Sequence, residues 1–443
     1  MGKTYDLLIV GAGPAGLMAA RSAVAEGLKI AILERKKDIC KIHRSCGGVL
    51  NVNEDTFGEK VRFDQATGDL RFENSNTVIR YDGPYQDLFG FCLYAPGGGK
   101  IEFGRFSELK KDPAKNRLGI ALKKGRLLQV LLDELVAAGV EVFPNTNVVS
   151  VRKASTGAVI ECEDGQTFSG TFVAAADGIN SRLARVLGMN KDREFYGTTR
   201  DTSMVVRGCA CPAPEGFLFM TTQSGIFSMI PLADEGCYHV YASTFRQDDK
   251  PKEMLDYFLK EDPSFSHWYR DSEFVEDERT ACVVTLMSPL QKPFKDNVLF
   301  IGDACWRREM SNVGSMNSGW KAGKCIAAAL KAGAADEQGI QEYLDWYEKY
   351  YYGPWGVRKQ GGRNFNEYLT YEDIDYLVGL CTEVLPPTLD IIKAVNFIGQ
   401  YYGELMTRIY EERPETMERM IVFRENMEPD LKKRLKWGFR LTG

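Results

Sequence analysis

Tyr5-Asp6-Leu7-Leu8-Ile9-Val10-Gly11-Ala12-Gly13-Pro14-Ala15-Gly16, with the 22 residues that follow as far as Asp38, decides the fold. Residues 5–10 are a continuous apolar run closed by glycine, the pattern of a strand buried on both faces of a parallel sheet. A helical pattern runs from Leu17 to Glu26, and a second apolar run, Lys29 to Leu33, ends in Glu34. Strand, glycine turn, helix, strand and acid follow one another as in a dinucleotide-binding unit. Gly11 permits the tight turn, Gly13 lets the backbone approach a pyrophosphate, and Gly16 lets helix and strand pack closely. Pro14 and Ala15 complete the turn. The helix N-terminus offers free N–H groups to phosphates, and Glu34 stands where a carboxylate accepts from a ribose hydroxyl. The motif alone does not choose between NAD and FAD.

Two distant segments have the same form. Thr171 to Ala176 is an apolar strand that ends in Asp177-Gly178-Ile179-Asn180-Ser181-Arg182, and Asn297 to Ile301 ends in Gly302-Asp303-Ala304 before a helical pattern from roughly Ser315 to Ala332. A doubly wound sheet gathers such strand ends at one edge, where ligands bind. Asp303 then suits a ribityl or ribose hydroxyl. Together the three motifs resemble the FAD-binding set of the para-hydroxybenzoate hydroxylase-type flavoproteins, over about residues 3 to 330. The resemblance implies FAD contacts from Gly11, Gly13, Pro14, Ala15, Gly16, Glu34, Arg35, Cys46, Gly47, Arg126, Asp177, Gly178, Gly302, Asp303, Gly314 and Ser315. Arg126 would reach a phosphate from the start of a helix over Leu127 to Ala138, and Arg35 would stack on adenine.

Within these flavoproteins the chain is similar to the geranylgeranyl reductase family, whose members reduce isolated carbon–carbon double bonds of isoprenoid chains. Four pieces carry the likeness: His43-Arg44-Ser45-Cys46-Gly47-Gly48 after Glu34; Gly225-Ile226-Phe227-Ser228-Met229-Ile230-Pro231; Gly302-Asp303-Ala304 followed by Trp320-Lys321-Ala322-Gly323; and a C-terminal helical extension. Where the family has a Pro-x-x-Gly-x-Gly turn, this sequence reads Met310-Ser311-Asn312-Val313-Gly314-Ser315. The second piece, Gly225 to Pro231, also resembles the Gly-Trp-x-Trp-x-Ile-Pro strand of flavin-dependent halogenases, with Ile226 and Ser228 at the tryptophan positions.

The resemblance implies an α/β fold: a Rossmann-like FAD-binding domain from residues 1–60, 117–190 and 290–335, an antiparallel-sheet substrate domain from 61–116 and 191–289, and a C-terminal helical region over 336–443. It places Cys46 close to the flavin. A thiol there serves as the proton donor that an ene-reductase needs, or tunes the flavin, or is a small residue packed in a tight glycine loop; His43 and Arg44 nearby would favour the thiolate. Cys305, Trp306, Arg307 and Arg308, just past the Gly-Asp pair, either face an acidic substrate or form a surface turn. His239, in Cys237-Tyr238-His239-Val240, is either a structural cross-strand residue or part of the substrate cavity. Cys209-x-Cys211 has the wrong spacing for redox or zinc chemistry and reads as a pair of strand cysteines.

The 443 residues carry 56 basic and 61 acidic side chains, a net charge of -5, so no basic excess points to nucleic acid. Eleven scattered cysteines and three well-separated histidines give neither a secreted disulfide framework nor a zinc motif, and no metal site is expected. No stretch of about 18 uninterrupted apolar residues occurs, and the N-terminus does not read as a signal peptide; the expected location is a reducing cytoplasm. Tyr343 to Tyr352 is dense in aromatics at helical spacing and reads as core. The tail Leu431 to Arg440 either rests on an anionic membrane surface or is a solvated terminal helix. The expected reaction is reduction, or formation, of a carbon–carbon double bond in a small-molecule or isoprenoid substrate. Electrons would come from a ferredoxin-like donor or NAD(P)H. The rival readings are a class A aromatic monooxygenase and an electron-transfer flavoprotein dehydrogenase.

Overall fold

The computed structural model describes residues 3–222, 225–244, 246–306, 311–352 and 368–427. Its main sheet is eight-stranded, running Glu141–Phe143, Ile30–Leu33, Thr4–Val10, Thr167–Ala175, Gly157–Cys162 and Val148–Ala154, with Val298–Phe300 laid along Thr167–Ala175 and Phe294–Lys295 beside it. Thr4–Val10 runs parallel to Ile30–Leu33 on one side and Thr167–Ala175 on the other, and Thr167–Ala175 runs parallel to Val298–Phe300. The register sets Leu33, Val10, Ala175 and Phe300 side by side. The turns that follow these four residues, with Glu34, Gly11, Asp177 and Gly302, therefore leave the sheet from one edge, as the sequence indicates.

The first helix is Pro14–Val24, with Gly13 at its N-cap and Pro14 in the first position, where a missing N–H costs nothing. It starts three residues before the expected Leu17. The helix after the Gly-Asp pair likewise starts early, at Asn312 rather than Ser315, because the Ser311 hydroxyl accepts from the Gly314 N–H and caps it. These two helices cross in close contact. A side chain at Gly16 would collide with the Gly11 carbonyl, one at Gly319 with the Ala15 carbonyl, and one at Gly323 with the Ala19 carbonyl and Ser22 hydroxyl.

A second sheet of seven strands runs Lys100–Glu102, Gly90–Tyr94, Gly216–Thr222, Gly225–Pro231, Cys237–Thr244, Phe195–Arg207 and Glu273–Met287. It is antiparallel except for the parallel pair Gly90–Tyr94 with Gly216–Thr222. Alternation divides its faces. Met204, Val206, Phe227, Met229, Val240 and Ala242 cluster with Leu255, Phe258 and Leu259 of the helix Pro251–Lys260. Ser203, Ile230, His239 and Tyr241 lie on the opposite face.

The stretch from 60 to 115 does not join this sheet as a whole. Residues 55–80 make a separate four-stranded meander, and Gly119–Leu122 pairs with Tyr85–Leu88 on one side and Val49–Asn51 on the other in a three-stranded sheet. Only Gly90–Tyr94 and Lys100–Glu102 reach the large sheet. The alternating pattern gave strands correctly, but alternation says nothing of which sheet a strand enters. Cys209 and Cys211 lie just past the end of Phe195–Arg207 rather than within it.

Among the described residues the C-terminal part contains the helices Gln341–Tyr347, Tyr371–Leu380, Ile391–Glu412 and Pro414–Met427; Leu431 to Arg440 lies outside the described residues. The aromatic stripe is core, with Tyr343, Tyr347 and Tyr351 all buried. Their hydroxyls are used: Tyr351 donates to the Gly314 carbonyl at 2.9 Å, Tyr347 to the carbonyls of Leu290 and Cys305, and Tyr343 pairs with the Ser318 hydroxyl. Burial drives all three phenols well above their usual pKa, so they remain neutral donors. No helix among the described residues is long and apolar enough to cross a membrane.

The crossing of the two helices yields a stability prediction. Gly319→Ala and Gly323→Ala force backbone apart and should each cost about 1–3 kcal/mol in urea unfolding. Gly399→Ala, in the long C-terminal helix where an added Cβ meets nothing within 4 Å, should be neutral or stabilise by up to about 1 kcal/mol. Equal effects at all three positions would show that the crossing distance is not the constraint.

Candidate functional site

The glycine turn is held from below. Glu34 is buried, and its carboxylate accepts from the Ala12 N–H at 2.8 Å and from the Lys36 N–H at 2.9 Å. A carboxylate offers about four acceptor positions, so two remain for a ribose. Gly11 has φ +105 and backs onto the Ala176 carbonyl, whereas an added Cβ on Gly13 would meet nothing within 4 Å. Gly11 and Gly16 are thus required by the protein's own packing, and Gly13 leaves open space over the helix N-terminus.

The other two motifs close on this turn. Gly302, at φ +59, packs against the Ala15 side chain, and its N–H donates to the Ser318 hydroxyl at 3.0 Å. Asp177 accepts from the Leu183 N–H through one carboxylate oxygen, while the other, Oδ1, is enclosed without a hydrogen-bond partner. Burial raises the Asp177 pKa, with hydrogen bonds from Ser181 and nearby backbone opposing it. Gly178 follows at φ +84 with open space around it. Arg35 is exposed. Close to it, at the ends of Ile30–Leu33 and Glu141–Phe143, lies a cavity of about 760 Å³ lined by Lys37, Ile39, Cys40, His43, Gln129 and Pro144 among others.

Residues 43–48 cross between the two sheets. Arg44 pairs with Asp303 at 3.5 Å, and Asn312 donates to the Val49 carbonyl at 2.7 Å, so this loop lies on the Gly-Asp motif and the start of its helix. The Ser45 hydroxyl meets those of Ser203 at 2.6 Å and Thr280 at 3.0 Å. Gly47 packs against Ile230, a Cβ there coming within 2.7 Å of the Ile230 side chain. Cys46 is half-buried, and the Lys124 ammonium donates toward its sulfur at 3.6 Å. Lys124 was not foreseen: it sits 78 residues away at the start of the helix Lys124–Ala137. The cation against the thiol is Lys124, while Arg44 turns to Asp303 and His43 is exposed.

Several expected site residues have other surroundings. Arg126 is held by Asp82 at the surface, its Nε and Nη2 donating to the two carboxylate oxygens, so its charge is already matched within the protein. Cys305 is fully buried, donates to the Gly302 carbonyl at 3.2 Å, and burial pushes its thiol up to about 12; it supports the Gly-Asp turn rather than facing a substrate. Trp306 is buried edge-on against Phe57 and Tyr351. Both were legible only as neighbours of the motif, because sequence position does not tell which side of a turn faces in. Arg307 and Arg308 lie outside the described residues. His239 is buried on the sheet face toward the loop.

A fold of this kind, with a glycine turn, an acid and two further strand-end motifs at one edge, defines an FAD-dependent oxidoreductase. Residues 4–349 match the model of the FAD binding domain family. The chain is 21% identical over 435 residues to a digeranylgeranylglycerophospholipid reductase of Methanococcoides burtonii, covering 94% of this chain and 96% of that one. The structure of a geranylgeranyl bacteriochlorophyll reductase-like protein from Thermoplasma acidophilum superimposes with a TM-score of 0.67 at 19% identity, covering 94% and 98%. That of p-nitrophenol 4-monooxygenase from Pseudomonas putida does so at 0.57 and 14%, covering 96% and 99%. The chain belongs to the FAD binding domain family, and over nearly its whole length it is similar to reductases of the geranylgeranyl type. Its cofactor is FAD, and the open turn at Gly13 and the unpartnered Asp177 Oδ1 fit that group.

Gly13 separates ligand from fold. Gly13→Val should leave the unfolding midpoint of the flavin-free protein unchanged while weakening FAD binding at least about tenfold, read by flavin fluorescence titration. A van der Waals clash of this size costs about 1–3 kcal/mol. Unaltered FAD affinity would place the pyrophosphate elsewhere.

Proposed function

We propose that this protein reduces a carbon–carbon double bond of an apolar, isoprenoid-type substrate, with Cys46 supplying the proton. The observation that carries the reading is the placement of Cys46, half-buried beside Lys124 in a loop pinned to both the Gly-Asp motif and the large sheet. When bound, reduced FAD supplies a hydride. Gly11, Gly13, Pro14, Ala15 and Gly16 would hold its pyrophosphate against the helix N-terminus, and Glu34 its ribose. Asp177, Gly178, Gly302 and Asp303 would line the rest, with Gly314 and Ser315 in the first turn of the second helix. Arg35 would reach the adenine side. Arg126, engaged by Asp82, would contribute only if that pair opened.

An apolar substrate finds a suitable wall where the sheet meets the C-terminal helices. Phe91 packs with Phe217 and Phe219, and all three lie against the cluster of Leu377, Leu385 and Tyr402. The curated relative's printed name, a reductase of a digeranylgeranyl lipid, supports that substrate class. The electron donor would be a ferredoxin-like carrier or NAD(P)H, and the working place the cytoplasm or the membrane surface. The monooxygenase neighbour supports the second reading, hydroxylation of an aromatic substrate with oxygen and NADPH.

Anaerobic reoxidation separates the two. Photoreduced protein under argon should be reoxidised by geranylgeraniol or a geranylgeranyl lipid, with the saturated product detected by mass spectrometry. Cys46→Ser should keep its flavin and slow this step about 10²-fold or more, the range for loss of a general acid. Full turnover of Cys46→Ser would reduce the thiol to a packing residue. Substrate-dependent NADPH oxidation with stoichiometric oxygen uptake would replace the reductase with a hydroxylase.

A further inference from the structure

The outer end of the main sheet carries a cavity beyond the residues assigned to FAD. Glu141–Phe143 is the edge strand there, and Ile30–Leu33 lies beside it. Gly11, Asp177 and Gly302 follow strands further in. The cavity of about 760 Å³ lies between the loop after Glu34, the turn at Pro144 and the helix Lys124–Ala137. None of the residues assigned to FAD lines it. Glu34 instead turns its carboxylate to the Ala12 N–H, at the glycine turn.

The two sides of the cavity differ in chemistry. Residues 35–44 hold five basic side chains and one acidic one, in a chain of net charge -5. Two of the five are used within the protein. The Lys36 ammonium donates to the Ile39 and Lys41 carbonyls and draws the loop closed, and Arg44 pairs with Asp303. The acid, Asp38, accepts from the Cys40 and Lys41 N–H groups at 3.1 Å each. Arg35, Lys37 and Lys41 are left exposed, with no ion-pair partner among the described residues. Lys37 and Lys41 line the cavity together with His43. The other side is apolar: Leu132 and Val136, one turn apart on the helix, with Val142 and Pro144. Val136 is 57% exposed, so the protein itself does not cover this wall.

The charged side is held in place. The Asn145 N–H donates to the Lys36 carbonyl and the Thr146 N–H to the Glu34 carbonyl. A Cβ on Gly125 would come within 2.6 Å of the Cys40 carbonyl, so the start of the helix packs directly on the loop. A ligand therefore finds its cations already positioned and does not have to order them. Like charges in a concave site focus the local field and draw anions, and the volume falls in the range of small-molecule sites, roughly 300–1,000 Å³.

We infer that this cavity is a second ligand site, separate from that of FAD, for a phosphate ester with an aromatic or apolar body. Lys37 and Lys41 hold the phosphate through charge-assisted hydrogen bonds, and Leu132, Val136 and Pro144 cover the body. A nucleotide and a phosphorylated isoprenoid share that chemistry. Binding here depends on neither the role of Cys46 nor the reaction at the flavin.

The test is calorimetric titration of the FAD-saturated protein, at low ionic strength, with adenosine 2′,5′-bisphosphate and with geranyl diphosphate. At least one should bind, and the tighter of the two names the source of the phosphate. The double variant Lys37→Glu, Lys41→Glu should keep its FAD affinity and unfolding midpoint but bind that probe at least about tenfold more weakly, the loss of roughly one hydrogen bond to a charged group. Val136→Ser, which leaves the charge unchanged, should weaken it about threefold. Reversing two exposed lysines elsewhere, Lys153→Glu with Lys252→Glu, should leave it unaltered. Four results would overturn the site: no binding of either probe, binding only to flavin-free protein, loss of FAD affinity in the Lys37 and Lys41 variant, or equal weakening by the Lys153 and Lys252 pair. Binding of an acidic electron-carrier protein alone, abolished in the Lys37 and Lys41 variant, would also overturn it and make the loop a protein-docking surface.

Discussion

The close crossing of Pro14–Val24 and Asn312–Lys331 is the constraint on which the rest depends. It joins chain segments some 300 residues apart and brings the glycine turn and the Gly-Asp motif to one place. Gly319 and Gly323 remove side chains where the backbone of the first helix passes, and Gly302 does the same against Ala15. Close packing leaves no room for compromise at such points. The buried tyrosines then brace the second helix from its far side, Tyr351 at the Gly314 carbonyl and Tyr343 at Ser318. The C-terminal region therefore contributes to the flavin side of the molecule as well as to its own packing.

How much of this is legible in the sequence follows from the range of each interaction. The strand, glycine turn, helix and acid of residues 5–34 are local, and their order alone carries the geometry. The Asp177 and Gly302 turns are legible because each ends a continuous apolar run, and the parallel register then brings them together without further information. The helix starts at Pro14 and Asn312 are not legible in the sequence, because a proline and a serine each serve equally well in a turn and in a cap. The strands within 59–80 form their own four-stranded sheet with 55–56, which the sequence does not reveal, since period-2 alternation marks a half-buried strand and not its partner.

The surroundings of Cys46 were the least legible part. Its thiol meets Lys124 across 78 residues, and its loop is pinned through Ser45 to Ser203 across 158. Neither lysine nor serine at those positions has any local signature. Arg44, two residues before Cys46, is the nearest strong cation in sequence, but its guanidinium pairs with Asp303 across the fold. The low histidine count had a clearer meaning than it first offered. One of the three rings, His239, is enclosed at the meeting of the sheets, with the Tyr241 hydroxyl on Nδ1 and the Cys46 backbone beside it.

The two faces of the seven-stranded sheet differ in what they offer a ligand. One face is sealed by the helix Pro251–Lys260, whose Phe258 stacks on Phe227 at 4.0 Å, so its side chains are unavailable to ligands. The opposite face changes character along its width. At the strand Gly216–Thr222 it presents Phe217 and Phe219 toward the C-terminal helices, and at Cys237–Thr244 and Phe195–Arg207 it presents His239, Tyr241 and Ser203. An apolar chain is favoured at the first end by burial of its surface, about 25 cal/mol per Å². Because a strand rises about 3.3 Å per residue and neighbouring strands lie about 4.8 Å apart, this change occurs within one sheet, and the 45–47 loop is anchored at its polar end.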